Sequence, residues 1–218
     1  MTVESTAGSQ TLARGLAAIA IIGESDEPLT VRELADRLGI HRSMAYRLVR
    51  TLEQHRFVER TPAGGLAIGI RLGGIARNAA RDVQTAAMPA LLAAADALDV
   101  TAFLVAYDGE AAVTVVSAEP TRAGAPVGQR PGTRHPVDRG APGRAIRSQL
   151  DPVSYPLAQY EISHDEVFDG LSAIAVPLSV SGRPMSVAAL YLSSRTVDPA
   201  VVVSGLEKAA SVIRQALG

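Results

Sequence analysis

The chain has 218 residues, of which 47% are hydrophobic and 20% are charged, and its formal net charge is −1. This length and composition predict one small and one medium domain, each with its own core. The absence of cysteine excludes disulfides, iron–sulfur clusters, cysteine-ligated zinc and thiol catalysis. The net charge argues against a protein that coats nucleic acid over its whole surface.

The N-terminal residues 1–8 are polar and are expected to be disordered. They lack the basic start and apolar stretch of a signal peptide, and no apolar run of about 18 residues predicts a membrane span. We therefore expect a cytoplasmic protein that makes no contact with a membrane. Ser9 then predicts the N-cap of a first helix, in which apolar residues recur at helical spacing to about Ile22.

The segment from Thr30 to Arg60 predicts a helix-turn-helix that continues into a β-wing. Thr30 followed three residues later by Glu33 forms a capping box, and Gly39 ends the helix that it starts. Between Arg32 and Arg60 there are seven arginines and four acidic residues, so this segment is basic within a nearly neutral chain. The following residues, FVERTPAGGLAIG, predict a strand, a Gly-Gly turn and a short strand.

The second helix of this pair predicts DNA binding, because its outer face carries residues that reach base edges from a major groove. A small helical domain with arginines on a solvated face is the alternative. The residues expected to contact bases are Arg42, Ser43, Met44, Tyr46 and Arg47. The residues expected to hold phosphates are Thr30, Arg50, Arg60 and Thr61.

A third helix is predicted after the wing, with a stripe of small and apolar side chains. The stripe consists of Leu72, Ile75, Ala76, Ala79 and Val83. It packs either on its own domain or on the same helix of a second subunit. Pro89 predicts the first turn of a new helix ending near Leu98, with a bend after Thr85.

From Val100 the pattern changes to that of strands, and the outline is an antiparallel sheet flanked by helices, an α+β domain. A two-residue type I′ turn at Asp108-Gly109 is expected to join the first hairpin. The predicted strands span 101–107, 111–117, 123–128, 160–163, 171–180 and 186–192. A Gly- and Pro-rich loop is predicted at 130–143, a short helix at 144–150 and a last helix capped by Asp198, whose predicted buried residues are Val202, Leu206, Ala209, Val212, Ile213 and Leu217.

These features together resemble the IclR family of bacterial transcriptional regulators over nearly the whole chain. The N-terminal segments that carry the resemblance are GIHRSMAYRLVRTLEQHRFVER and LAIGIRLGGIA. The C-terminal ones are HPVDRGAPGRAI, YEISHDEVFDGLSAIAVPLS and SVAALYLSS. The resemblance implies a winged helix-turn-helix domain over 1–69, a linker or dimerisation helix over 70–86 and a GAF-like effector-binding domain over 87–218.

In function, the resemblance implies a regulator of transcription, with a repressor favoured, whose C-terminal domain binds a small metabolite such as an organic or aromatic acid. It implies a homodimer or a tetramer built from two dimers, bound to double-stranded operator DNA. The implied effector-binding residues are Pro136, Gly140, Ala141, Pro142, Gly143, Ser172, Ala173, Tyr191 and Ser193. The helix that follows Gly140 suits a ligand carboxylate, because its first N–H groups are free, and the ring of Tyr191 is expected to fill part of the site.

Two other interpretations follow from the residues. The C-terminal domain could serve only to oligomerise the protein, or it could hold an enzyme site, although no nucleophile elbow, P-loop or dinucleotide-binding fingerprint is present. One set of side chains could gather around a metal: His135, Asp138, His164, Asp165 and Glu166. No helical pair of histidines supports such a site, so we expect no metal, no cofactor and no catalytic residues.

Overall fold

The computed structural model describes residues 9–25, 27–122 and 127–218, with the side chains of 77–80 left aside. The chain divides into two units, Met1–Ala79 and Ala80–Gly218. The boundary falls inside the segment 70–86 that the sequence assigns to a linker helix. The prediction of disorder at 1–8 and the first four residues of the predicted strand 123–128 concern residues outside this description, and the described residues 127–128 are not in a strand.

The N-terminal unit contains three helices and a two-stranded wing. They are α1 Gln10–Gly23, α2 Val31–Leu38, α3 Arg42–Gln54, β1 Val58–Arg60 and β2 Leu66–Ile68. The predicted capping box is present, because Thr30 Oγ1 accepts from the N–H of Glu33 and the Glu33 carboxylate accepts from the N–H of Thr30. Gly39 ends α2 with φ of 61°, and the core includes Ala18, Leu34, Ala45 and Val49.

The helix after the wing is longer than predicted. It runs without interruption as α4 Ile70–Leu98, with Pro89 inside it, so the predicted start of a new helix at Pro89 was wrong. A proline in a helix leaves one carbonyl without its usual partner. Here the carbonyl is that of Thr85, and because Thr85 and Pro89 are both exposed, water can bind it. Ala87 and Leu91, on either side of the proline, are buried in the same hydrophobic core and stabilise the helix there.

The C-terminal unit is built on a six-stranded antiparallel sheet with the strand order β5-β4-β3-β8-β7-β6. Its elements are β3 Thr101–Tyr107, β4 Ala112–Ala118, β5 Arg134–His135, α5 Gly140–Leu150, β6 Glu161–His164, β7 Leu171–Val180, β8 Arg183–Leu192 and α6 Pro199–Leu217. Asp198 caps α6 as predicted. Its predicted buried face is right except at Val212, which is 51% exposed.

The sheet is covered on both faces, since side chains alternate along each strand. Ile174, Val176 and Val187 pack with residues of α4 and α6 on one face. Ala173 and Leu190 pack with residues of α5 on the other. This second face is where the strands and α5 build a site.

Several predictions in this unit differ from the structure in turn type or in where an element begins, and β8, for example, begins at Arg183 rather than at 186. Only Gly109 has positive φ in the first hairpin, so the turn is not type I′; the carboxylate of Asp108 accepts the N–H groups of Glu110 and Ala111 instead. Helix α5 begins at Gly140 rather than at Arg144, because Gly140 adopts a φ of 72° that turns the chain into the helix. The predicted loop 130–143 contains β5, which pairs with β4.

Candidate functional site

The outer face of α3 is the first candidate site. His41 caps this helix, with its Nδ1 accepting the N–H of Ser43 at 3.3 Å. Ala45, Leu48 and Val49 turn into the core of the unit. Because helical side chains recur every 3.6 residues, this burial leaves the predicted base-contacting residues on the opposite, exposed face.

The arginines of this face are available to a partner. Arg42, Arg47 and Arg50 are exposed, and none of their guanidinium groups makes a hydrogen bond or ion pair with the residues that the structure describes. The ring of Tyr46 beside them is 57% exposed. Three unpaired guanidinium groups on one short helix can form bidentate hydrogen bonds with guanine edges or phosphates.

Ser43 and Met44 are exposed on the same helix but are engaged by neighbours. The hydroxyl of Ser43 lies 2.9 Å from His41 Nδ1. Met44 Sδ lies 3.1 Å from Nη1 of Arg14 on α1. Both contacts are with exposed side chains, so DNA could replace them at low cost.

The four predicted phosphate contacts divide into two kinds. Arg50 is free, whereas the hydroxyl of Thr30 is occupied in the capping box. Arg60 Nε lies 2.8 Å from the Glu53 carboxylate, and Thr61 Oγ1 accepts the N–H of Gly65 in the wing turn. These three residues shape the loop and the wing, and their side chains already have partners in the free chain.

The second candidate site is a cavity between α5 and the sheet of the C-terminal unit. Its volume is about 30 Å³, which is room for roughly two water molecules. The residues that line it are Phe103, Gln129, His135, Gly140, Pro142, Ser163, Val167, Phe168, Leu171, Ala173 and Leu190. Val167 and Phe168 belong to the loop between β6 and β7, so this loop forms one wall.

A buried histidine supplies the cavity with an unsatisfied polar atom. His135 is 8% exposed, and its Nε2 has no hydrogen-bond partner in the part of the chain that the structure describes. Burial lowers the pKa of His135 below its ordinary 6.5 and keeps the ring neutral at physiological pH. Gln129 and Ser163 are the other polar side chains of the lining, and Gln129 donates to Thr114 Oγ1 at 2.8 Å.

A carboxylate of the chain itself occupies the start of α5. Glu166 Oε2 accepts the N–H of Gly140 at 3.0 Å and also accepts from the Arg144 guanidinium. The hydrogen bond from Arg144 is the main cause that lowers the pKa of Glu166. Burial by itself would lower the pKa of Arg144, but its hydrogen bonds to Glu166 and Glu161 raise it.

The predicted effector-binding residues do not all meet at this cavity. Three of them, Gly140, Pro142 and Ala173, line it. Ala141 is buried against the sheet beside it. Gly143 packs on the carbonyl of Pro136, where any added Cβ would lie only 2.8 Å away, and Pro136 itself is exposed.

The remaining three predicted residues belong to the opposite face of the sheet. Tyr191 packs in the core formed with α4 and α6, where burial raises its pKa. The hydroxyl of Ser172 bonds to Ser193 at 2.8 Å and to His164 at 2.9 Å. The structure therefore does not bring the Tyr191 ring into the cavity, because neighbouring residues of a strand face opposite sides.

The lining also includes residues that the sequence analysis did not select: Phe103, Gln129, Ser163, Val167, Phe168, Leu171 and Leu190. His135 had been considered only as a metal ligand. The alternation that puts Ala173 on this face also predicts Phe103 and Leu190, so strand pattern was a usable signal for them. No local sequence pattern identifies Val167 and Phe168 as cavity residues, because it is the loop between β6 and β7 that brings them there.

Three of the five side chains considered for a metal, His164, Asp165 and Glu166, have other contacts, and His164 Nδ1 lies 2.9 Å from Ser172 Oγ. Asp165 accepts from Gly170 and Ser193, and Glu166 is held by Arg144. Within the described ranges no three histidine, aspartate or glutamate side chains converge as a metal site requires. In the same ranges, no helix is long and apolar enough to cross a membrane.

Comparison with known proteins bears on both sites. Residues 11–62 match the IclR helix-turn-helix domain. The HTH-type transcriptional regulator TtgV of Pseudomonas putida is 30% identical over 104 residues, which are 47% of this chain. The match spans only 40% of the length of that relative.

Several solved structures share the fold of the whole chain. An IclR transcriptional regulator from Alicyclobacillus acidocaldarius superposes with a TM-score of 0.83 at 24% identity, over 95% of this chain and 98% of that one. An IclR homolog from Microbacterium hydrocarbonoxydans, solved as a complex with 4-hydroxybenzoate, has a TM-score of 0.74 at 19% identity over the same shares. At these identities the likeness establishes the fold, an N-terminal helix-turn-helix followed by an antiparallel sheet with helices.

Proposed function

We propose that this chain, an IclR-family transcriptional regulator by its helix-turn-helix domain and its fold, binds an operator sequence through α3 and responds to a small molecule in the cavity beside α5. The observation that carries the DNA-binding part is the exposed face on which Arg42, Arg47 and Arg50 have no side-chain partner among the described residues. Arg47, at the centre of this face, reads a base, while Arg50 holds a phosphate. Repression is the favoured outcome of binding, because a protein seated on an operator blocks access to the promoter.

The protein acts as a homodimer, or as a tetramer built from two dimers. Two observations on the N-terminal unit support this proposal. Ile75, in the stripe of α4, is 50% exposed, and Leu16 of α1 is 58% exposed, so a second subunit has apolar surface to cover. Two-fold symmetry then requires operator half-sites about one helical turn apart, or a multiple of that spacing.

The ligand-binding part of the proposal rests on the buried Nε2 of His135, which has no hydrogen-bond partner among the described residues and lies in a cavity lined mainly by apolar side chains. The fold neighbour that holds 4-hydroxybenzoate supports a small aromatic ligand. In its present size the cavity is too small for such a molecule, so binding requires the loop with Val167 and Phe168 to move. A ligand controls DNA binding only if it favours one arrangement of the paired DNA-binding domains over another.

The second candidate is a C-terminal domain that only oligomerises, which the small volume of the cavity favours. A thermal-shift screen over a panel of aromatic and aliphatic metabolites separates the two. Stabilisation by a subset of compounds supports a sensor. A flat response over the whole panel supports an oligomerisation domain.

Fluorescence anisotropy of the purified protein tests DNA binding. The labelled duplex is the intergenic DNA beside the protein's own gene, and the competitor is an unrelated duplex at the same salt concentration. Binding that survives a large excess of competitor is expected. Equal affinity for both duplexes, with and without the metabolites that shift the melting temperature, would refute sequence-specific regulation at this site.

A further inference from the structure

The start of α5 is chemically suited to an anion, but the protein fills it. A helix N-terminus offers free N–H groups and the positive end of a dipole. Here the Gly140 N–H points at Glu166 Oε2 at 3.0 Å, and Arg144, one turn later, donates to the same oxygen. A ligand carboxylate could take this place only after displacing Glu166.

The basic side chains just before α5 and along it are also engaged. The guanidinium of Arg139 donates to the carbonyl of Glu166. Arg144 spans Glu166 and Glu161, with Nε of Arg144 lying 3.1 Å from the Glu161 carboxylate. Arg147 lies over the ring of Tyr155, with 5.1 Å between its guanidinium carbon and the ring centroid.

No residue that lines the cavity carries a charge. Among the described residues of the lining, His135 is the only titratable side chain, and it is neutral at physiological pH. The remaining polar groups are the amide of Gln129 and the hydroxyl of Ser163, and the walls include the rings of Phe103 and Phe168. Burying an ionised carboxylate here without a counter-ion is costly, whereas one hydroxyl or amide can satisfy His135 Nε2.

From these observations we infer that the cavity takes an uncharged aromatic molecule with one hydroxyl or amide group, and that Glu166 excludes carboxylic acids. The inference rests on the proposed function, since it names the ligand class of the same cavity. It replaces the acid that the family resemblance implies. Phe168, which is 45% exposed, can swing outward to admit the ligand while Glu166 stays bound to Gly140 and Arg144.

Isothermal titration calorimetry on the full chain without DNA tests the inference. The probes are matched pairs in which an amide replaces a carboxylate: benzamide and benzoate, 4-hydroxybenzamide and 4-hydroxybenzoate, and the naphthalene-2-carboxamide and -carboxylate pair. We expect at least one amide to bind, with an affinity about tenfold or more above that of its acid. An acid that binds as tightly as its amide overturns the inference, and so does a panel in which no amide binds.

The Glu166→Ala variant tests the role assigned to this side chain. Its loss frees the Gly140 N–H and the Arg144 guanidinium, so acid binding should strengthen about tenfold while amide binding changes little. Retained amide binding also shows that the variant is folded. Glu110→Gln is the matched control, because it removes one negative charge from a side chain that is 89% exposed in the β3–β4 turn, and it should leave both affinities unchanged.

If the acid stays weak in Glu166→Ala, the exclusion does not come from Glu166 and that part of the inference is wrong. The calorimetry uses no DNA, so its outcome is independent of the anisotropy experiment. A protein that binds the amide but no specific duplex would overturn the proposed regulation of DNA binding and leave the ligand class standing. A protein that binds its operator but prefers acids would leave the proposed regulation standing and overturn the ligand class.

Discussion

The arginines of α3 and the arginine of α5 are in opposite environments. Arg42, Arg47 and Arg50 extend into solvent without a partner in the described part of the chain. Arg144 is mostly buried and is held between two carboxylates, with a third hydrogen bond to the carbonyl of Ile162. The outer face of α3 can therefore bind anions from outside the protein, whereas the charge of Arg144 on α5 is already paired with carboxylates of the chain.

This difference shows that an arginine indicates an anion site only where the fold leaves it unpaired. An exposed guanidinium contributes little to folding and keeps its hydrogen-bonding capacity for DNA. A buried one must be paired, because an unpaired buried charge is costly. We therefore expect substitutions on α3 to alter binding and substitutions at Arg144 to alter stability.

The largest expected effect is that of Arg144→Ala on folding. Removing this guanidinium takes away the ion-pair partner that Glu161 and Glu166 share, which should lower the free energy of unfolding by about 2–4 kcal/mol. Urea unfolding followed by circular dichroism measures the change. Arg183→Ala, at an exposed position in the β7–β8 hairpin, should cost less than about 0.5 kcal/mol. Equal effects of the two substitutions would contradict the contrast between the arginines.

The next effect is that of Arg47→Ala on DNA binding. If this side chain reads a guanine, its loss should weaken operator binding by about 1–3 kcal/mol and reduce discrimination between sites. Arg50→Ala is the comparison, because a lost phosphate contact should weaken binding to all duplexes alike. Competition anisotropy at fixed salt measures both. If Arg47→Ala loses affinity but keeps its discrimination between sites, Arg47 contacts a DNA phosphate and not a base.

His135 should make stability depend on pH. Its pKa is lowered in the folded protein, so below pH 6.5 the unfolded chain binds a proton that the folded chain does not. Stability is then lost as the pH falls, at up to about 1.4 kcal/mol per pH unit. The slope between pH 6.5 and pH 5 should be smaller in His135→Gln, as measured by urea unfolding. If the free energy of unfolding depends on pH in the same way in both proteins, protonation of the His135 ring does not destabilise the folded chain.

The smallest expected effect belongs to Thr30, which the structure uses as a helix cap. Thr30→Ala removes the capping hydroxyl and should destabilise the N-terminal unit by about 1 kcal/mol. Thr51→Ala is the control, because the Thr51 hydroxyl bonds only to the Arg47 carbonyl inside α3. Urea unfolding of both variants measures the difference. If operator affinity falls in Thr30→Ala while stability is unchanged, the hydroxyl contacts DNA after all.

The elements of the N-terminal unit could be predicted because their signals are local. Thr30 and Glu33 are three residues apart, and Gly39 follows the helix that they start. Pro89 misled the prediction because the burial of α4 on both sides of the proline outweighed its local preference.

The cavity could be predicted only in part. The segment from Pro136 to Gly143 was recognised, and it contributes Gly140 and Pro142. The strand residues Ser172 and Tyr191 were assigned to the wrong face because the assignment followed motif position rather than the alternation of side chains. Val167 and Phe168 could not be found, since no spacing in the chain brings this loop to α5.

The sequence by itself determined the helix-turn-helix, its exposed basic face and the α+β class of the second domain, because periodicity and capping act within a few residues. Only the tertiary structure decided what occupies the start of α5. Glu166 lies 26 residues from Gly140 in the chain, and a hydrogen bond between them exists only once β6, β7 and the loop joining them are folded onto α5. That long-range contact changes the expected ligand from an acid to an uncharged molecule.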